Sequence, residues 1–103
     1  MEKIISESIE LLKDLISIES FSFHEDKSAS RIEKWFNDHN ITYKRIKNNV
    51  YSKNEFFDIK KPTILLNSHH DTVKPNKGYT KNPFSSIVEN GKLFGLGSND
   101  AGG

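Results

Sequence analysis

The sequence predicts an α/β fold in which helices pack on a mixed β-sheet, and three observations carry that prediction. The first part of the chain repeats apolar side chains at helical intervals. The middle holds alternating runs rich in β-branched and aromatic residues, then a continuous apolar segment after Pro62. Near the end, two short apolar runs flank Asn90-Gly91, a dipeptide that favours the tight turn of a two-residue hairpin.

Ile5, Ile9, Leu12 and Ile16 recur at steps of four, three and four. Leu11, Leu15 and Ile18 join them, and Glu, Lys, Asp and Ser fill most of the intervening positions, as in an amphipathic helix. A serine-rich joint runs from Ser17 to Ser22. A second helix is expected from about Glu25 to His39, because Ala29, Ile32, Trp35 and Phe36 share one stripe and Asn37-Asp38-His39-Asn40 supplies a stop. Ile41 to Ile46 alternates as a strand does, with Val50-Tyr51-Ser52 as its partner across Lys47-Asn48-Asn49, making an outer hairpin. Thr63 to Leu66 is apolar without a break, which suits a strand covered on both faces inside a sheet. Lys74 to Phe84 reads as a polar loop with Pro75, Gly78 and Pro83. Ser86 to Glu89 and Lys92 to Phe94 then form the second hairpin.

Composition narrows the chemistry. The 103 residues suffice for at most one small domain, and a domain of this size buries about 60–70% of the surface its unfolded chain exposes. Fifteen basic against fourteen acidic residues leave a net charge of +1 with no basic stripe, which argues against nucleic acid or an anionic membrane as partner. There is no cysteine. Disulfide scaffolds, thiolate nucleophiles and sulfur-ligated zinc are therefore excluded, leaving His, Asp and Glu as metal ligands. Charges interrupt the apolar residues of the first segment, Met1 to Glu7, and no apolar run approaches the ~18–20 residues of a membrane span. A soluble, cytoplasmic protein is the expectation.

His69-His70-Asp71 closes the apolar run and is the strongest candidate for chemistry. In a strand, His69 and Asp71 would share one face and His70 would occupy the other. A metal-binding histidine needs such a neighbour, since a carboxylate on its second ring N–H fixes tautomer and orientation. The carboxyl edge of a sheet strand is also where open α/β sheets bind ligands. On the tripeptide alone, a surface loop with a local His–Asp hydrogen bond is the commoner outcome. Asp100, within Gly95-Leu96-Gly97-Ser98-Asn99-Asp100-Ala101-Gly102-Gly103, adds a second carboxylate among glycines that let backbone approach an ion closely. A phosphate-binding loop is rejected there: no Gly-Lys-Ser/Thr ending follows, and the stretch succeeds a hairpin instead of opening a helix. His70 is assigned to packing or surface, and His24 and His39 receive no function.

Ser68-His69-His70-Asp71-Thr72-Val73, the Asn82-Pro83-Phe84 loop, the Glu89-to-Gly95 hairpin and Gly97-Ser98-Asn99-Asp100 resemble, in order and spacing, the amino-terminal third of the M20 family of co-catalytic zinc amidohydrolases. That family includes acetylornithine deacetylase, succinyl-diaminopimelate desuccinylase, carboxypeptidase G-like enzymes and di- and tripeptidases. The resemblance covers all 103 residues and is sharpest from Thr63 onward. It implies that His69 is a terminal ligand of one metal, that Asp100 bridges two, that Asp71 orients His69 as part of the catalytic apparatus, and that the Asp100-Ala101 peptide is cis. It implies two divalent ions, zinc or cobalt, which together lower the pKa of a shared water and polarise an amide carbonyl.

The family's general base, the first member of a Glu-Glu pair, stands beyond the bridging Asp and lies outside these residues. The remaining ligands and the lid or dimerisation domain lie outside them too. The chain therefore reads as the amino-terminal portion, residues 1–103, of a catalytic domain, inactive by itself and part of a possible homodimer when whole. Leu96 stands where many members have Arg, and Ala101-Gly102 where many have Met-Lys. Asn99 to Gly103 looks most like deacetylases of the arginine pathway, implying a small N-acylated amino acid as substrate. A peptide substrate, as for a di-/tripeptidase or carboxypeptidase, is the alternative. A small non-catalytic α/β module with an incidental His and Asp is the alternative of another class.

Overall fold

The computed structural model describes residues 1–103, and its architecture is α/β: two helices followed by two small antiparallel hairpins. Helix α1 spans Glu2–Ser17 and α2 spans Asp26–Asp38, so the two apolar stripes do form helices, the first beginning ahead of its stripe. Glu25 and His39 flank α2 instead of continuing it. No helix is long and apolar enough to cross a membrane.

The helices pack against each other near the serine-rich joint. Ile16 of α1 is 3% exposed and Ala29 of α2 is fully buried, while Ile5 and Ile9 at the other end of the α1 stripe remain exposed. Arg31 of α2 reaches across to Asp14 of α1, donating from Nε at 2.9 Å and Nη2 at 2.6 Å to one carboxylate oxygen. His39, placed just past α2, acts as a C-terminal cap. Its Nδ1 donates to the Trp35 carbonyl at 2.8 Å, its ring stacks on Trp35 and its Nε2 meets Glu7 of α1 at 3.2 Å. The Trp35 carbonyl first, and Glu7 second, raise the pKa of this imidazole above its ordinary value.

Strand β1 (Lys44–Ile46) pairs antiparallel with β2 (Asn49–Tyr51), with Arg45 opposite Val50. The hairpin is tighter than expected: Asn49 belongs to β2, leaving Lys47-Asn48 as the loop. Arg45 bolts it to α2, donating to Glu33 at 2.5 Å and Ser30 at 3.0 Å, and it also holds Asn48 in the loop at 3.0 Å. Strand β3 (Ile87–Glu89) pairs with β4 (Lys92–Phe94) around Asn90-Gly91. Both turn residues have positive φ, 52° and 72°, as the mirror-image turn requires. Gly95 then brings the end of this hairpin onto α1: a Cβ there would lie 2.4 Å from Ile16 Cγ2.

The expected mixed sheet with Thr63–Leu66 as an interior strand is not what forms. The two hairpins are separate sheets, and the one parallel pairing is an isolated bridge between Phe21 and Thr72. Residues 63–71 make no backbone–backbone hydrogen bond, and Leu66 is 90% exposed. A strand is defined by its neighbours, and an apolar run meant for burial on both faces needs pairing strands and covering layers that these residues do not provide. The carboxyl edge of that strand is therefore not what positions His69; side-chain hydrogen bonds do so instead.

Candidate metal centre

Three segments meet at His69: the serine joint after α1, the stretch 68–72, and the glycine-punctuated turns after β4. The bridge between Phe21 and Thr72 aligns the first two, with the Thr72 amide donating to the Ser20 carbonyl at 2.9 Å and the Ser22 amide donating to the Thr72 carbonyl at 3.2 Å. The third is brought in by the approach of Gly95 to Ile16 and by the Leu96 amide, which donates to the Pro83 carbonyl at 2.7 Å.

The imidazole of His69 is held on both sides. Nδ1 donates to the Asp71 carboxylate and to the Asp71 carbonyl, each at 3.1 Å. Nε2 donates to Asp100 Oδ1 at 2.8 Å. Acceptors on both nitrogens favour the protonated ring, so its pKa lies above the ordinary value, through the Asp71 carbonyl first and the Asp100 carboxylate second. Asp71 is itself anchored, since Ser22 Oγ donates to its other oxygen at 2.6 Å. That hydrogen bond is the leading cause of a lowered Asp71 pKa, with the charge of His69 adding to it. The Asp100-Ala101 peptide is cis.

This donor set suits a divalent cation. Nδ1 is occupied by its orienting carboxylate, which leaves Nε2 as the nitrogen for an ion, in the arrangement metal-ligating histidines use. Asp100 Oδ1 already faces that nitrogen, and replacing the intervening proton by zinc needs the two atoms only about 3.3 Å apart, given usual ligand lengths and tetrahedral angles. The Asp100 side chain is 84% exposed, leaving its second oxygen accessible to another ion. Asp71 has both oxygens engaged, one by Ser22 Oγ and the other by His69 Nδ1. No three His, Cys, Asp or Glu side chains are grouped so as to hold a metal ion, and His69 and Asp100 offer two donors where a protein zinc site uses three or four.

A cavity of about 370 Å³ opens beside the pair, lined by Leu12, Leu15 and Ile16 and bordered by His69, Asp71 and Asp100. The Thr72 hydroxyl, also in its lining, is buried without a partner and is free to meet a polar group there.

The structure thus brings together all three predicted residues, although the strand meant to arrange them is absent. Sequence reasoning missed Ser22 and Ser28. Ser22 holds Asp71, and Ser28 holds His70 with Oγ 2.7 Å from its Nδ1. The serine-rich joint was the visible signal for the first; nothing local marks the second, which lies within α2.

No family model matches the chain. It is similar to a probable carboxypeptidase of Aspergillus clavatus, with 35% identity over 68 residues, or 61% of this chain. The match spans 15% of the length of that fungal protein.

Proposed function

We propose that this chain carries the first two metal ligands of an M20-like amidohydrolase, His69 for one ion and Asp100 bridging two. The convergence of His69 Nε2 and Asp100 Oδ1 at 2.8 Å, with Asp71 on the opposite nitrogen, is the observation that carries the reading. Zinc or cobalt fits the nitrogen and oxygen donors. Such a pair of ions, when bound, acidifies a shared water and polarises the scissile carbonyl. The chain's own residues do the arranging. Asp71 keeps the imidazole in the tautomer that presents Nε2, Ser22 keeps Asp71 from rotating away, and Leu12, Leu15 and Ile16 give the neighbouring cavity an apolar wall.

The substrate class is a small amide with a free carboxylate, either an N-acylated amino acid or a peptide cut at its carboxyl end. Resemblance of Asn99 to Gly103 to arginine-pathway deacetylases supports the first, and similarity to a probable carboxypeptidase supports the second.

Calorimetric titration of the 103-residue chain with zinc should give weak binding, above micromolar Kd, that disappears in both His69→Ala and Asp100→Ala. Binding unchanged in the two variants would overturn the assignment. In a reading frame extended through a Glu-Glu pair, hydrolysis of N-acetyl amino acids or carboxyl-terminal dipeptides should fall about a thousandfold in Asp100→Ala. That loss corresponds to about 4 kcal/mol of transition-state stabilisation.

A further inference from the structure

We infer that His70 is a positioning residue for His69, locking the 69–72 segment onto α2 and the β1–β2 loop through hydrogen bonds at both ring nitrogens. The inference rests on the reading of His69 as a ligand. His70 Nε2 lies 2.9 Å from the Asn48 carbonyl, an acceptor only, so that nitrogen carries the proton. Nδ1 is then an acceptor, 2.7 Å from the Ser28 hydroxyl, which also stands 3.0 Å from the Glu25 carbonyl one turn back, so the one Ser28 O–H is shared between these two acceptors. The main chain of the same residue is held as well, because Ser20 Oγ donates to the His70 carbonyl at 2.9 Å.

The burial of these partners is what sets the cluster apart. Ser20 and Ser28 are the buried polar residues of a molecule with five buried residues in all, and both direct their hydroxyls to His70. A buried hydroxyl in a helix is costly unless its bond is made. The Ser20 hydroxyl meets that requirement on the His70 carbonyl, and the Ser28 hydroxyl on the Glu25 carbonyl and the His70 ring together. Asn48 is in turn held by Arg45 and by Glu25, so α2, the first hairpin and the site segment close on one imidazole. With His70 fixed on this side, its neighbours His69 and Asp71 are turned together toward Asp100 and Ser22.

The hydrogen-bonding claim separates from mere space-filling by substitution in the full chain Met1–Gly103. His70→Phe keeps the ring volume and makes neither bond. His70→Asn keeps an acceptor near the Nδ1 position. Ser28→Ala removes a single hydroxyl and improves helix propensity, so it keeps the fold even if the ring variants do not. Cobalt titration should weaken about tenfold in His70→Phe and Ser28→Ala, the lower end of what losing a supporting partner costs a metal ligand, with His70→Asn recovering most of it.

Imidazole nitrogen NMR of the metal-free chain at one fixed pH gives the independent readout. The wild type should show a hydrogen-bonded N–H on His70 Nε2 and two hydrogen-bonded N–H groups on His69. Ser28→Ala should shift the first and broaden the second. If His70→Phe matches His70→Asn in both measurements, or Ser28→Ala leaves the His69 signals unchanged, the inference is overturned. If the wild type binds no cobalt, the ligand reading fails, and the His69 signals still decide whether His70 positions that ring.

Discussion

The interface between the serine joint and residues 69–72 differs sharply from the stretch that precedes it, Asn54 to Leu66. In the first, the hydroxyls of Ser20, Ser22 and Ser28 each meet a named partner within 3 Å, although hardly any large apolar side chain is buried nearby. In the second, Phe56, Ile59, Ile64, Leu65 and Leu66 are all more than 80% exposed and the main chain pairs with nothing beyond two local turns. Hydrogen bonds are directional and can define a few atoms' geometry between three segments. Hydrophobic burial is non-directional and needs mass on all sides. A site can therefore be specified before the core beneath it is complete.

Breaking the apolar part of the well-ordered region should have the largest effect. Gly95→Ala places a methyl 2.4 Å from Ile16 Cγ2 at a φ of 151°, so α1 or the second hairpin must shift. A loss of about 1–3 kcal/mol in urea unfolding is expected, the usual penalty for overpacking. An unchanged midpoint would mean that β4 does not need its present seat on α1. Ser22→Ala comes next. It frees one oxygen of Asp71 and should weaken zinc or cobalt binding about tenfold with little change in unfolding midpoint, because Ser22 is exposed.

The bare stretch should respond oppositely. Replacing Leu65 and Leu66 by Lys is expected to change stability by less than about 0.5 kcal/mol, as for surface sites, while reducing binding of an apolar dye. A large destabilisation would show that this segment is packed in solution.

The smallest effect is a pH dependence confined to the helix pair. The folded pKa of His39 is raised from 6.5 by the Trp35 carbonyl and Glu7. Its contribution is thus fully present below the unfolded value and lost as pH rises through the folded value. Glu7→Gln should flatten this slope on the alkaline side of 6.5 in pH-dependent unfolding; the same slope in wild type and variant would assign it to another group.

Periodic signals were the legible ones. Both helical stripes and the Asn90-Gly91 turn depend on residues within a few positions of each other, and the structure contains all three elements. The boundaries differ where a tertiary partner intervenes, as at Asn49, drawn into β2 beside the Arg45 bond to α2 and the Asn48 bond to Glu25. Thr63–Leu66 departs from the expected strand because continuous hydrophobicity states what a segment needs, not what is present to meet it. His69 and Asp71 were legible from their spacing, and they pair at 3.1 Å without the strand that the spacing assumed. The roles of Ser28 and Asn48 were not, since each acts on a residue distant in sequence.

That separation has a kinetic consequence. Ser20, Ser22 and Ser28 reach their partners across 50, 49 and 42 residues, so the loop must close before any of these bonds forms, and closure is rewarded by few buried atoms. The helices, built from local contacts, should assemble early and the His69 segment late. In native-state hydrogen exchange, the Thr72 amide, bonded to the Ser20 carbonyl, should therefore open at lower free energy than the amide of Ala29 within α2. The geometry that presents His69 to Asp100 would then be the last acquired in folding and the first surrendered under mild denaturant.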